Sequence, residues 1–201
     1  TAFEISKTCS SVEGIDISTG MLDEANRIKN ERKIKNVNFR IGYAEDLDYD
    51  DESFDLITCR TSAHHFKDIE KAINEIERVI KNDGSIYMID TITSDQKILN
   101  DWHQKIETIR DKSHIKNYSL MEWKNYFEDS KLYLKEIHQT RVNMELEDWM
   151  ERSGTNKSDK NILRNEYDNA NNKIKKFFDI EKINNDFKFY WPVGLFYLEK
   201  Y

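Results

Sequence analysis

The apolar positions of this chain change period several times, and the changes mark out its elements. In "SVEGIDIS" (11–18) Val12, Ile15 and Ile17 read as a short β-branched strand that ends in an acid and a hydroxyl. Met21, Leu22, Ala25 and Ile28 then recur at helical spacing, so a helix is predicted from Thr19 to about Lys33 with Ser18 or Thr19 as its cap. "VNFRIG" (37–42) is a second strand, "YAEDLDYDDES" an acidic loop, and Phe54–Arg60 a third strand. Ile69, Ala72, Ile73, Ile76, Val79 and Ile80 form the clearest helical stripe, stopped by "NDG" with Gly84 as the expected left-handed cap. "SIYMIDT" (85–91) is a fourth strand. Strands alternating with helices in this way predict a parallel sheet covered by helices.

Beyond residue 95 the pattern turns helical. Leu99, Trp102, Ile106 and Ile109 predict one helix, and "SLME" (119–122) is a capping box that opens another. "LYLKEIHQTRV" (132–142) alternates like a strand. It is followed by a long Asn/Lys-rich helical stretch with Leu163, Tyr167, Ala170, Ile174 and Phe177 on one face. The terminal "FKFYWPVGLFYLEKY" is strand-like on both sides of Pro192, where a break or bulge is expected. The 201 residues suit a single domain, with 95–130 and 145–185 as helical cover segments within it.

Charge narrows the partners. A net charge of −7 argues against broad nucleic-acid or anionic-membrane binding, both of which need clustered Lys and Arg. The two cysteines, Cys9 and Cys59, are too few for a disulfide framework, and no Cys/His grouping has zinc-ligand spacing, so no metal is expected. Reduced thiols and the lack of a signal-peptide pattern in the first residues give a cytoplasmic expectation.

The candidate chemistry gathers at the strand ends. In an open α/β sheet, ligands sit in the crevice beyond the carboxyl ends of the strands. Asp16, Tyr43–Glu45, Cys59–Ser62 and Asp90–Thr91 all fall at such ends. A carboxylate at Asp16 can accept two hydrogen bonds from a ribose diol, or it can help cap the following helix. Met21 can lie against an adenine face or be plain core. In "GYAEDL" the Ala44 N–H and the Glu45 carboxylate suit the edge of an adenine, whereas the remaining acids read equally well as a solvated loop.

Four stretches in this order and spacing, "VEGIDIS…ML", "GYAEDL", "FDLITCRTSAHHF" and "AINEIERVIKNDGSIYMID", resemble the class I S-adenosylmethionine (SAM)-dependent methyltransferases. The closest resemblance is to the small-molecule branch related to the quinone-biosynthesis methyltransferases. It covers about residues 1 to 140, and "RDKSH" with "SLMEW" resembles a subgroup of that branch. It implies an α/β three-layer sandwich around a mostly parallel Rossmann-like sheet with a reversed last strand, and SAM as cofactor. Asp16 would hold the ribose, Ile17 and Met21 would flank adenine, and Ala44 would meet the adenine edge. Cys59 and Arg60 would pass the methionine part with backbone groups. Two departures stand out. Tyr43 replaces a usual aspartate, so stacking would replace a hydrogen bond. The first strand and glycine-rich turn are also absent, "TAFEISK" corresponding to the helix that follows that turn. As written, the sequence is expected to hold half of the cofactor site and to bind SAM weakly.

His64 and His65 would stand at the mouth of the methyl-donor pocket. His64 is the candidate general base for an acceptor that must lose a proton, and His65 the alternative. His65 is also expected to pack under the next helix and hydrogen-bond a carbonyl. His114, in the helical insertion, either touches the acceptor or is a surface histidine in a turn. The leading reading is methyl transfer to a small molecule, with no nucleic acid or membrane partner. A nicotinamide-dependent oxidoreductase and a non-catalytic binding domain on the same scaffold compete with it.

Overall fold

A computed structural model describes residues 1–200. Eight helices and eight strands follow in chain order. The first half holds α1 (Ala2–Ile5), β1 (Val12–Asp16), α2 (Thr19–Glu31), β2 (Val37–Ile41), β3 (Phe54–Arg60), α3 (Ile69–Val79) and β4 (Ile80–Thr93). The second holds α4 (Lys97–Arg110), β5 (Tyr118–Ser119), α5 (Leu120–Glu128), β6 (Leu132–Glu145), α6 (Leu146–Arg152), α7 (Lys157–Asp168), α8 (Asn172–Phe178), β7 (Glu181–Ile183) and β8 (Asp186–Lys200). A short 3-10 turn, Ala63–His65, joins β3 to α3.

The sheet is mixed and falls into two ladders. β1 and β2 pair in parallel; β3, β4, β8 and β6 form the larger ladder. β3 runs parallel to β4, whereas β8 is antiparallel to both β4 and β6, which is the expected reversed last strand. The ladders end at β1 and β3, and no strand among the described residues lies between those two edges. The resemblance places its first strand at this position.

Two apolar clusters hold the layers. α3 buries Ile69, Ala72, Ile73, Ile76 and Val79 of the predicted stripe, and Ile69, Ile73 and Ile76 join Ile86 and Met88 of β4 and Phe196 and Leu198 of β8 in one cluster. α5 adds Trp123 and Phe127 to the same cluster. Its capping box is formed, Ser119 Oγ accepting from Glu122 N–H and Glu122 accepting from Ser119 N–H. The second cluster joins Trp102 and Ile106 of α4 to Trp149, Leu163, Tyr167 and Phe178 of α6–α8 and to Trp191 of β8.

Three expectations are corrected. Gly84 is not a left-handed cap: α3 ends at Val79, the chain passes straight into β4, and the left-handed residue is Asp83 at φ 61°. Pro192 does not break β8. It pairs with Arg141 of β6 and lies one residue past the last β4 pair, Thr91 with Val193, where β6 alone flanks the strand. The Asn/Lys-rich stretch is three helices, because Asn156 and Asn171 each accept a hydrogen bond as N-caps and restart the helix. That rotation buries Phe178 in place of Phe177.

Candidate active site

β1 is parallel to β2 and β3 to β4, so each ladder gathers its carboxyl ends at one edge. A side chain ties the two edges together. Glu45, in the loop after β2, accepts from the N–H groups of Lys67 (2.7 Å) and Asp68 (3.4 Å) at the start of α3. The loops after β2 and β3 therefore share one rim.

On the β1 side, Asp16 is half-buried and accepts from Ser18 N–H at 2.8 Å through one carboxylate oxygen. Its second oxygen has no hydrogen-bond donor among the described residues. Ser18 caps α2, its hydroxyl accepting from Met21 N–H. The capping and ligand readings of Asp16 are thus compatible, one oxygen for each. Met21 is not core: it is 62% exposed, and Ile17 and Tyr43 are 59% and 53% exposed. Asp16 pairs with Ile41, two residues before Tyr43, so these open apolar side chains belong to the end of one ladder. Ala44 is half-buried in the turn between Tyr43 and Asp46, which are bridged.

On the β3 side, Arg60 is exposed and Cys59 half-buried. Desolvation and the nearby Asp90 carboxylate push the Cys59 thiol up to about 12, so it stays protonated and is no nucleophile. Thr61 then takes φ 51°, a left-handed conformation that is costly for a β-branched residue. What holds this turn is Asp90, buried at the end of β4. Its carboxylate accepts from Ser62 N–H (3.2 Å), His64 N–H (3.2 Å) and Thr91 N–H (2.7 Å), and lies 2.6 Å from His64 Nδ1.

Three imidazoles converge there. The His64 ring is 4.1 Å from that of His65 and 5.7 Å from that of His114, centroid to centroid. Burial would depress the His64 pKa, but the hydrogen bond and charge of Asp90 outweigh it and hold it above the usual value. His65 Nδ1 bonds the Ser113 carbonyl at 3.0 Å, so the expected carbonyl partner lies in the loop after α4 instead of the helix after His65. The same loop closes on the turn through Ile115 and Lys116 N–H, both donating to the His64 carbonyl. His114 is buried, which excludes the surface reading. Its Nε2 meets Gln104 Oε1 at 3.1 Å, its Nδ1 is buried without a partner, and desolvation lowers its pKa to about 4.

Below them lies a polar layer that the sequence did not reveal. His103, fully buried on α4, contacts Thr93 and Asn117, and Glu107 sits 3.8 Å away, also buried. Both are buried on α4, for which the apolar spacing had predicted only Leu99, Trp102, Ile106 and Ile109. Among the described residues no group of His, Cys, Asp and Glu could hold a metal ion. No helix among them is long and apolar enough to cross a membrane.

Comparison with known proteins places the chain among its relatives. Residues 1–88 match the methyltransferase domain family. The chain is 35% identical over 142 residues to the uncharacterized methyltransferase YcgJ of Bacillus subtilis, a match covering 71% of this chain and 56% of that protein. It is 28% identical over 179 residues to the uncharacterized protein YafE of Escherichia coli, covering 89% and 86%. A demethylmenaquinone methyltransferase of Alkalihalophilus pseudofirmus is 35% identical over 80 residues, 40% of this chain and 34% of that enzyme. The match thus spans little more than half of YcgJ and a third of the quinone enzyme. The crystal structure of YcgJ superposes with a TM-score of 0.95 at 29% identity, covering 99% of this chain and 86% of that one. Geranyl diphosphate C-methyltransferase of Streptomyces coelicolor, solved with S-adenosyl-L-homocysteine, shares the fold at a TM-score of 0.66 and 16% identity, covering 99% and 67%. By its matched domain, its relatives and its fold, the chain carries a methyltransferase domain over residues 1–88 and takes the fold of the YcgJ protein.

Proposed function

We propose that this protein transfers a methyl group from SAM to a small-molecule acceptor. The observation that carries the reading is the end of the β1–β2 ladder, where a half-buried carboxylate with one unpaired oxygen stands among large apolar side chains left open. That set fits the nucleoside end of SAM: Asp16 for the ribose hydroxyls, Ile17, Met21 and Tyr43 for the adenine faces, Ala44 and Glu45 for its edge. The backbone of Cys59 and Arg60 would face the methionine part. SAM supplies a methyl group already activated on a sulfonium, so the protein's tasks are to position the acceptor, exclude water and remove a proton where the acceptor carries one.

In this reading His64 is the general base, its Nε2 free because Nδ1 is engaged by Asp90. His65 steadies the loop 111–117, and the unpartnered Nδ1 of His114 contributes an acceptor on the substrate side. The segments 95–130 and 145–185 cover the acceptor. A net charge of −7 supports a small molecule over nucleic acid, and two cysteines, too few for a disulfide framework, fit a cytoplasmic setting.

Calorimetric titration of SAM into a version of the protein that carries the first strand and glycine-rich turn, with and without Asp16→Ala, tests the reading. Losing a charge-assisted, partly buried contact should cost about 1.5–3 kcal/mol, roughly 10- to 150-fold in affinity. Equal affinities would remove Asp16 from the site. His64→Ala should leave SAM affinity unchanged and, once an acceptor is in hand, lower turnover by roughly 10²–10⁴-fold.

A further inference from the structure

We propose that Asp90 is a positioning residue: by accepting the Nδ1 proton of His64 together with the backbone N–H groups of Ser62, His64 and Thr91, it fixes His64 in the tautomer that leaves Nε2 bare toward the acceptor. The inference rests on the reading of His64 as the base. The geometry is specific. An ionised carboxylate only accepts, so the 2.6 Å contact with Nδ1 requires the proton to lie on that nitrogen. Three further donors within 3.2 Å keep Asp90 from turning away. The side chain is 2% exposed, so water does not compete for it.

The same four bonds link two places that must agree. Ser62 and His64 belong to the turn that Thr61 enters at φ 51°, next to Cys59 and Arg60, whose backbone would face the methyl donor. One carboxylate thus sets both the course of that backbone and the direction of the base. In the reaction, His64 Nε2 takes the acceptor's proton, and the electron pair left on the acceptor atom attacks the methyl carbon as the methyl–sulfur bond breaks. The pair of that bond goes to sulfur, which leaves as the neutral thioether of S-adenosylhomocysteine. The imidazolium that forms is neutralised by Asp90, which keeps its own charge, and later returns the proton to water.

The other titratable groups facing His64 are Glu107 of α4, Asp111 and His114 of the loop after it, and His65 beside it. Asp111 is already held by Ser113, and Glu107 by His103 and Arg110. Asp90 alone bonds the His64 ring.

The test needs neither SAM nor an acceptor. Protein labelled with ¹⁵N-histidine gives two-bond proton–nitrogen correlations that identify each ring's tautomer, and His64→Ala assigns the His64 signals. Wild-type His64 should be protonated at Nδ1 when neutral. In Asp90→Asn its titration midpoint should fall by about one unit or more as the paired charge is lost. Asp90→Glu, which restores a carboxylate, should recover part of that shift. A wild-type His64 protonated at Nε2 would overturn the proposal, whether or not the variants fold. So would an unchanged midpoint in a folded Asp90→Asn protein. If His64 shows the Nδ1 tautomer but His64→Ala still transfers methyl groups at the normal rate, the base reading fails while the positioning geometry stands.

Discussion

Replacing Gly84 tests how β4 is reached from α3. A Cβ built on Gly84 would lie 2.6 Å and 2.8 Å from the Ile80 side chain and 2.8 Å from the Lys81 carbonyl oxygen. Ile80 is itself fully buried and cannot swing outward, and the carbonyl belongs to the backbone of β4. Overpacking of this kind costs about 1–3 kcal/mol. In a chain of 201 residues each kcal/mol moves the melting point by about 2–4 °C, so Gly84→Ala should melt roughly 2–12 °C lower. Gly84→Asn should be worse, because it also buries an amide with no waiting partner, about 1–3 kcal/mol more. Asp83→Gly should be close to neutral. Relief of the left-handed strain at φ 61°, about 1 kcal/mol, is offset by the greater freedom of glycine in the unfolded chain, about 0.5–1 kcal/mol. Thermal unfolding followed by circular dichroism, with urea midpoints as a second measure, gives the order. Asparagine is the one common substitute for glycine in a left-handed cap. A Gly84→Asn protein that melts within about 1 °C of the wild type would therefore refute the packing argument and restore the cap.

The imidazoles predict opposite pH dependences. His114, whose pKa is lowered from 6.5 to about 4, is neutral in the fold while the unfolded chain takes up the proton first. Its contribution to stability is complete above pH 6.5 and falls away as the pH drops toward 4. His64, with a raised pKa, contributes below its unfolded value of 6.5 and loses that contribution as the pH rises through its folded value. The difference between the pH–stability curves of the wild type and His114→Gln isolates the first effect; parallel curves would rule it out.

Side-chain pattern made the elements legible where one face is buried and the other wet. The α3 stripe and the "SLME" box are cases in which period and cap chemistry left little choice. Pattern failed where a long-range contact decides. Whether Gly84 caps a helix or packs under Ile80 depends on β4 continuing straight from α3, and nothing in "NDG" specifies that. Asp90 read as one polar strand end among four, because its partners Ser62 and His64 lie 28 and 26 residues away. His103 and Glu107 were invisible for another reason: they lie on a face that apolar spacing had marked as core, where His103 meets Thr93 and Asn117 and stands 3.8 Å from Glu107. The candidate site could thus be read from the strand ends, but its wiring could not.

The split of the sheet into two ladders has a consequence for how the molecule breathes. Among the described residues no ladder bonds join β1–β2 to β3–β4, and side chains reach across between them. Arg78 of α3 donates to the carbonyls of Leu47 and Tyr49 and reaches Asp51, while Glu75 accepts from Leu47 N–H and Glu45 from Lys67 N–H. Leu22 is the only side chain of α2 that is fully buried, whereas α3 buries five. The amides of the β1–α2–β2 unit should therefore exchange with solvent through openings that leave the α3–β4–β8 core protected. In the proposed reading of Asp16 and Tyr43, nucleoside binding would carry a cost in ordering that unit, and Arg78→Ala, which removes the bonds to Leu47, Tyr49 and Asp51, would weaken that binding.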